Sequence, residues 1–471
     1  SLPNNMSTES TESNYYIPEP GAESVETGAG IQVNGFYVGN GEDANVGAYF
    51  PVGTHTQFAM TNDDACMPGN IAPNSNNNCD LSVQTLILPN LNFVNQSSLW
   101  LQFEYYHDQN YGGGDAYVQI TTDNGNNWQD ISGPLSPAQV WQYGAVDLSL
   151  YEGNSQVKIR FTWSDNGTWA SGFAIDNIII SPLEDYSLTL LNQTVQLSSP
   201  YLGMTSYKTM PINQAQSGGY YFKADLKNNG ANDFNEVQIN VSIENEGFST
   251  NSDGVNLLSL SQEEFYANDY FTPSDTGIYN VEFYGSTNEG LLTQTEFLQF
   301  KVSEFEYARD DADFSGGPIS GALINHQGSG QRGNVFDIYQ QTTLHSVKAW
   351  IHEKTSLNTT AKAVLNIVDI ESGDIYFLDE SPEIYVGQDR NGWVDFIFNY
   401  PIELDEGEVF LATIYSEFNG VDTLVLGQSG ISQPNESLLQ DTDGTQTGGN
   451  PGDWYYTTST PMVRLNLNSE N

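Results

Sequence analysis

Runs in which apolar residues fall on every second position recur along this chain, while a sustained 3.6-residue helical period is scarce. A period of two puts successive side chains on opposite faces of an extended strand, so this pattern restricts the chain to sheets with one buried and one wet face. Leu101, Phe103 and Tyr105 alternate with Gln102 and Glu104, and Val157, Ile159 and Phe161 with Lys158 and Arg160. Further along, Phe222, Ala224 and Leu226 face away from Lys223, Asp225 and Lys227, while Val237, Ile239, Val241 and Ile243 alternate with Gln238, Asn240 and Ser242. Val347, Ala349 and Ile351 repeat the pattern near residue 350. Turn chemistry punctuates these runs: in TTDNGNNW, residues 121 to 128, Asp123, Asn124 and Gly125 stand where a hairpin reversal needs residues that tolerate positive φ.

The alternation restarts after SPLEDY, residues 181 to 186, and again after the acidic, then glycine-rich stretch KVSEFEYARDDADFSGGP, residues 301 to 318. At 471 residues the chain is long enough for about three domains. The expectation is therefore an all-β protein of three consecutive antiparallel β-sandwiches, at residues 21–183, 184–303 and 304–471. Residues 1–20, rich in Ser, Thr, Glu and Pro, would form a flexible lead or an extended strap. In SDTGIYNVEF, Asp275, Gly277 and Tyr279 are spaced as in the tyrosine corner of immunoglobulin-like sandwiches, where the hydroxyl ties back to an upstream backbone group.

Charge excludes whole classes of partner. With 13 Lys plus Arg against 60 Asp plus Glu the formal net charge is -47, which repels nucleic acid and anionic membrane surfaces. Acidity here does not mean disorder, because aromatics reach 12% of the residues. A carboxylate-rich surface suits salty surroundings and divalent cations, calcium foremost. No apolar run is long enough for a transmembrane helix, so membrane insertion is not expected. The first residues lack the charged and apolar regions of a signal peptide, leaving a cytosolic chain or a mature secreted one.

Both cysteines, Cys66 and Cys79, lie in TNDDACMPGNIAPNSNNNCDL, residues 61 to 81. Two cysteines among Pro, Gly and Asn can close a small surface loop as a disulfide or remain free thiols; with no further cysteine or nearby histidine they cannot supply four zinc ligands. Catalytic patterns are scarce. His352-Glu353 is followed by Lys354-Thr355-Ser356 and not by a zinc-protease helix, and no nucleophile elbow or phosphate-binding loop occurs. The acidic clusters at residues 310–313 and 441–444 lack the closing Glu of a calcium loop and read as linker and turn.

Three stretches resemble known modules. TNDDACMPGN with NNNCD, LWLQFEYYHDQNYGGGDAYVQITTDNGNNW and GFAIDNIII resemble the jelly-roll adhesion modules of secreted Bacteroidetes proteins, of the cleaved-adhesin and MAM-like kind. The middle unit resembles the Ig-like or CARDB-like domain that often follows. EYARDDADFSGG, VFDIYQQTTLHSVKAWI and WYYTTSTPMVRLNLN are similar to the jelly-roll-like sandwich that precedes the sorting domain in substrates of the type IX secretion system. The resemblance implies a protein exported by that machinery to the outer cell surface or released outside the cell. A sorting domain is then expected to have been removed, or the chain to be a fragment.

The same resemblance implies adhesion, through a glycan or protein ligand on a surface, and no catalysis. Alternatives are the accessory region of a larger secreted protease or glycosidase, or an architectural passenger of an export or surface assembly. It also implies a calcium site joining Asp63 and Asp64 to Asp176, whose carboxylate sits among the apolar residues of FAIDNIII. A Cys66–Cys79 disulfide would hold that loop. Trp163, Asp165 and Trp169, in and beside SDNGTWASG, are the expected ligand contacts, and further aromatic candidates are Tyr105, Tyr106, Tyr111 and the cluster Trp454, Tyr455 and Tyr456. Asp422-Thr423-Leu424 matches a Bacteroidetes O-glycosylation sequon, with Thr423 as acceptor, inside an expected strand.

Overall fold

The computed structural model describes residues 6–10, 37–39, 58–61, 83–108, 114–167, 172–244, 246–318, 320–325, 328–442, 450–457 and 459–467. Nearly all regular structure among them is β-strand, and the chain divides into two compact units, Ser1–Asp185 and Tyr186–Asn471.

The first unit is a sandwich of two five-stranded antiparallel sheets. One sheet runs Ser7–Ser10, Val83–Ile87, Lys158–Ser164, Asp115–Thr121, Gln129–Asp130. The other runs Tyr37–Gly39, Phe58–Thr61, Gly172–Ser181, Trp100–Asp108, Ala138–Asp147. Ser7–Ser10 pairs in register with Val83–Ile87. Alternation sends Ile159, Phe161 and Trp163 from one sheet and Leu101, Phe103, Phe173 and Ile175 from the other into a common core. The predicted hairpin forms at Asn124 and Gly125, both at positive φ. Asp123 locks it, accepting from Thr121 Oγ1 at 2.6 Å and from Asn127 Nδ2 at 2.6 Å, and these bonds hold its carboxyl down at about 2.

The second unit contains two further pairs of sheets. The first pair has Gly203–Thr205, Leu188–Ser199, Tyr221–Asn228 and Gln262–Tyr266 on one side. Opposite lie Thr209–Pro211, Glu296–Ser303, Gly277–Ser286, Phe234–Ile243 and Phe248–Asn251. Tyr279 Oη donates to the Asp275 carbonyl at 2.7 Å, making the tyrosine corner that the spacing predicts. The last pair begins at Glu306–Tyr307 and consists of two seven-stranded sheets.

Sheet membership changes near residues 185 and 304. The expected second and third domains are nevertheless one unit, because a single apolar core runs from Leu190 to Leu465. At their seam Arg309 is buried. It donates from Nη1 to Thr205 Oγ1 at 2.6 Å and Glu436 Oε1 at 3.0 Å, and from Nη2 to Tyr207 Oη at 2.9 Å. Tyr207 in turn donates to Asp337 Oδ2 at 2.7 Å, and Ser199 Oγ to Asp337 Oδ1 at 2.7 Å. Strands and loops from both sandwiches meet in one satisfied polar network, which is the condition under which buried charge is tolerated. The stretch read as an acidic linker, residues 310–313, is part of this packing: Asp310 is buried and makes a two-pronged ion pair with Arg464.

Candidate functional site

Strand registers gather the suspected loops of the first unit at one end of its sandwich. Gly172 lies opposite Asp108, Phe173 opposite Thr61, and Ser164 opposite both Val83 and Asp115. The connections 62–82, 109–113 and 165–171 therefore leave from the same end. Asp63, Asp64, Cys66, Cys79, Tyr111 and Trp169 lie outside the described residues.

Asp176 is placed differently from the expectation. It stands four residues into Gly172–Ser181, about 13 Å along the strand from the end where these loops leave. It is half-buried, on the face opposite the inward Phe173 and Ile175, and lies directly across from Glu104. A register irregularity follows between Asp176 and Ile179, and Asn177, at positive φ, donates to Glu104 Oε2 at 3.0 Å. Two carboxylates directly opposite on one sheet face repel each other. The fully buried carboxylate near the loop end is Asp165 instead, which accepts the Gly167 N–H at 2.9 Å.

Trp163 is no ligand platform. It is 0% exposed and packs in the core, because the strand Lys158–Ser164 alternates strictly and position 163 shares the inward face with Ile159 and Phe161. Tyr105 and Tyr106 are buried as well, and Trp454 and Tyr456 pack against a small apolar cluster that includes Val335 and Leu411. Thr423 sits just before the strand Val425–Ile431 and not within one, half-buried, its Oγ1 3.2 Å from Ser356 Oγ.

Near the loop end His107 is buried, with Nδ1 3.2 Å from the Leu135 carbonyl oxygen and its ring edge-on to Phe173. Burial lowers its pKa, so the folded unit resists a proton that the unfolded chain accepts below about 6.5. Stability of the first unit is then flat above that pH and falls as pH drops below it, by at most about 1.4 kcal/mol per pH unit. Thermal unfolding between pH 7.5 and 5 should show this slope, and His107→Gln should flatten it.

In the second unit a cleft of about 250 Å³ is lined by Lys301, Ser303, Glu306, Lys348, Asp395 and Asn466. Its lysines are already engaged: Lys301 Nζ lies 2.7 Å from Asp313 Oδ2, and Lys348 Nζ 3.8 Å from Glu306 Oε1. Exposed aromatic side chains cluster elsewhere, on the outer face of the four-stranded sheet, at Tyr221, Tyr266 and Tyr270. The period-two pattern around Phe222 and Lys223 carried the signal for Tyr221; nothing local marked the other two. Among the described residues no three His, Cys, Asp or Glu side chains group as metal ligands, and no helix is long and apolar enough to cross a membrane.

No family model matches the chain, and no curated protein does. Solved structures align with parts of it. A glycoside hydrolase domain of Endo-D from Streptococcus pneumoniae R6 does so at 12% identity and a TM-score of 0.22, covering 63% of this chain and 37% of that one. The exo-chitosanase of Amycolatopsis orientalis aligns at 12% identity and a TM-score of 0.27, covering 53% of this chain and 28% of that one. The K1 cleaved adhesin domain of Lys-gingipain from Porphyromonas gingivalis W83 aligns at 15% identity and a TM-score of 0.22, covering 38% of this chain and 98% of that domain. This chain thus spans well under two thirds of the first two proteins, and likenesses at this level say nothing of activity or ligand.

Proposed function

We propose that this chain is a non-catalytic binding protein of the outer cell surface or extracellular space, exported as a type IX secretion substrate and holding a glycan or protein ligand. One observation carries the reading. In the second unit the buried carboxylates Asp310, Asp337 and Glu436 are tied to Arg464 and Arg309 in the packing between sheets, while aromatic side chains stand exposed on a sheet face. Carboxylates fixed in this way stiffen a display scaffold, and exposed aromatics are the side chains that anchor ligands. A fluorescently labelled sample of the chain should bind saturably to a subset of an array of neutral and charged oligosaccharides, or retain a protein from solubilised surface membranes. Neither result on any probe would remove the binding reading.

Calcium belongs to the proposal as the site expected at Asp63, Asp64 and Asp176. Ca²⁺ takes about six to eight oxygen ligands, which a carboxylate-rich chain supplies readily. EDTA should lower the thermal midpoint of the first unit by several degrees, and Asp176→Ala should abolish that sensitivity. An EDTA-insensitive midpoint would take calcium out of the account.

A further inference from the structure

The outer face of the sheet containing Tyr221–Asn228 and Gln262–Tyr266 combines exposed rings with planar polar groups. Tyr221, Tyr266 and Tyr270 are 38%, 53% and 58% exposed. Lys223 stands directly across from Tyr266 with its Nζ 5.8 Å from that ring's centroid, and the Tyr221 and Tyr270 rings are 5.6 Å apart. Tyr270 is held in place twice over. Its neighbour Phe271 bridges Tyr220 through two 2.8 Å backbone hydrogen bonds, and Gly219, at φ +68°, leaves the ring a space that a Cβ would enter to within 2.9 Å.

Beyond the rings the face is a row of hydrogen-bonding side chains. Glu264 accepts from both Lys223 and Tyr266, which drives the Tyr266 hydroxyl up to about 12 and lets the tyrosine stay a neutral donor. Asp225 accepts from Asn192 Nδ2 at 2.7 Å and from Gln262 Nε2 at 2.9 Å. From Tyr221 to Lys227 this track is about 20 Å long.

We propose that this face, resting on the binding function proposed above, is a carbohydrate-binding surface for an uncharged oligosaccharide chain, with Tyr221, Tyr266 and Tyr270 as stacking platforms. A sugar chain presents apolar C–H faces and hydroxyl edges in alternation, which suits rings followed by carboxylate and amide groups. Charge selects against other ligands. Lys223 is paired with Glu264 and Lys227 is turned onto the Leu260 carbonyl at 2.8 Å, and the net charge of -47 repels an anionic sugar. A protein partner is less well matched, because the polar row would have to be desolvated along its length.

Isothermal titration with xylo-, malto- and chito-oligosaccharides tests this on the intact chain. At least one neutral series should bind, and the triple variant Tyr221→Ala, Tyr266→Ala, Tyr270→Ala should bind it at least tenfold more weakly. Since the rings are exposed, the variant should keep its thermal midpoint; if it does not, Tyr270→Ala alone should still weaken binding severalfold. Equal affinity of variant and parent would overturn the site while leaving the binding function standing. Binding confined to anionic sugars, or to proteins only, would overturn it too.

Discussion

Arg464→Ala should destabilise the second unit by about 3 to 5 kcal/mol, the cost of leaving a buried charge without its partner. Arg464 is 2% exposed. Its Nε and Nη2 donate to the two oxygens of Asp310 at 2.9 and 2.6 Å, and Nη1 donates to Glu306 at 3.0 Å and Asp313 at 2.9 Å. Its guanidinium carbon lies 4.3 Å from the centroid of Trp393. Removing it strands Asp310, which would keep only the Ala312 N–H as donor at 3.2 Å. Arg464→Lys should lose much of the same stability, since an ammonium cannot make the fork or the flat stack. Denaturant unfolding of the intact chain measures both variants. A loss below about 1 kcal/mol for the alanine variant would mean that the pair behaves as an exposed one.

In the first unit the largest effect should come from Trp163→Ala. A fully buried aromatic truncated to alanine costs about 3 to 5 kcal/mol, and in a unit of this size that lowers the midpoint by roughly 6 to 20 °C. Among the described residues the indole Nε1 has no hydrogen-bond partner, so Trp163→Phe gives up packing volume but none of the hydrogen bonds described and should cost well under half as much. Scanning calorimetry separates the two variants. If Trp163→Ala instead left the midpoint unchanged and weakened ligand binding, the residue would be a platform after all and its core placement wrong.

These two residues also mark where sequence reading worked and where it failed. Alternation at Val157, Ile159 and Phe161 reveals the strand, and continued by two positions it sends Trp163 inward; the loop after Ser164 made it look like a binding aromatic. Tyr279 was legible because its partner, the Asp275 carbonyl, is four residues away. Arg309 and Arg464 were not, since their partners Glu436 and Asp310 are 127 and 154 residues distant and no local pattern encodes such pairings. For the same reason Asp310 and its neighbours looked like a solvated linker, and two domains were expected where one core joins both sandwiches. Asp176 stands among isoleucines in the sequence, yet the strand turns that carboxylate to the outer face beside Glu104. Surface platforms such as Tyr266 and Tyr270 become visible only once the pairing of strands is known.

Binding without chemistry is the claim on which the functional account stands. It is tested most directly by affinity electrophoresis of the intact chain through gels containing neutral polysaccharides, followed by analysis of the same polysaccharides for new reducing ends. The account predicts retarded migration in at least one polysaccharide, relieved by the triple tyrosine variant, with no reducing ends released. Release of reducing ends by the purified chain would contradict it, whereas unretarded migration in every neutral polysaccharide would overturn the carbohydrate-binding face and leave a protein as the ligand.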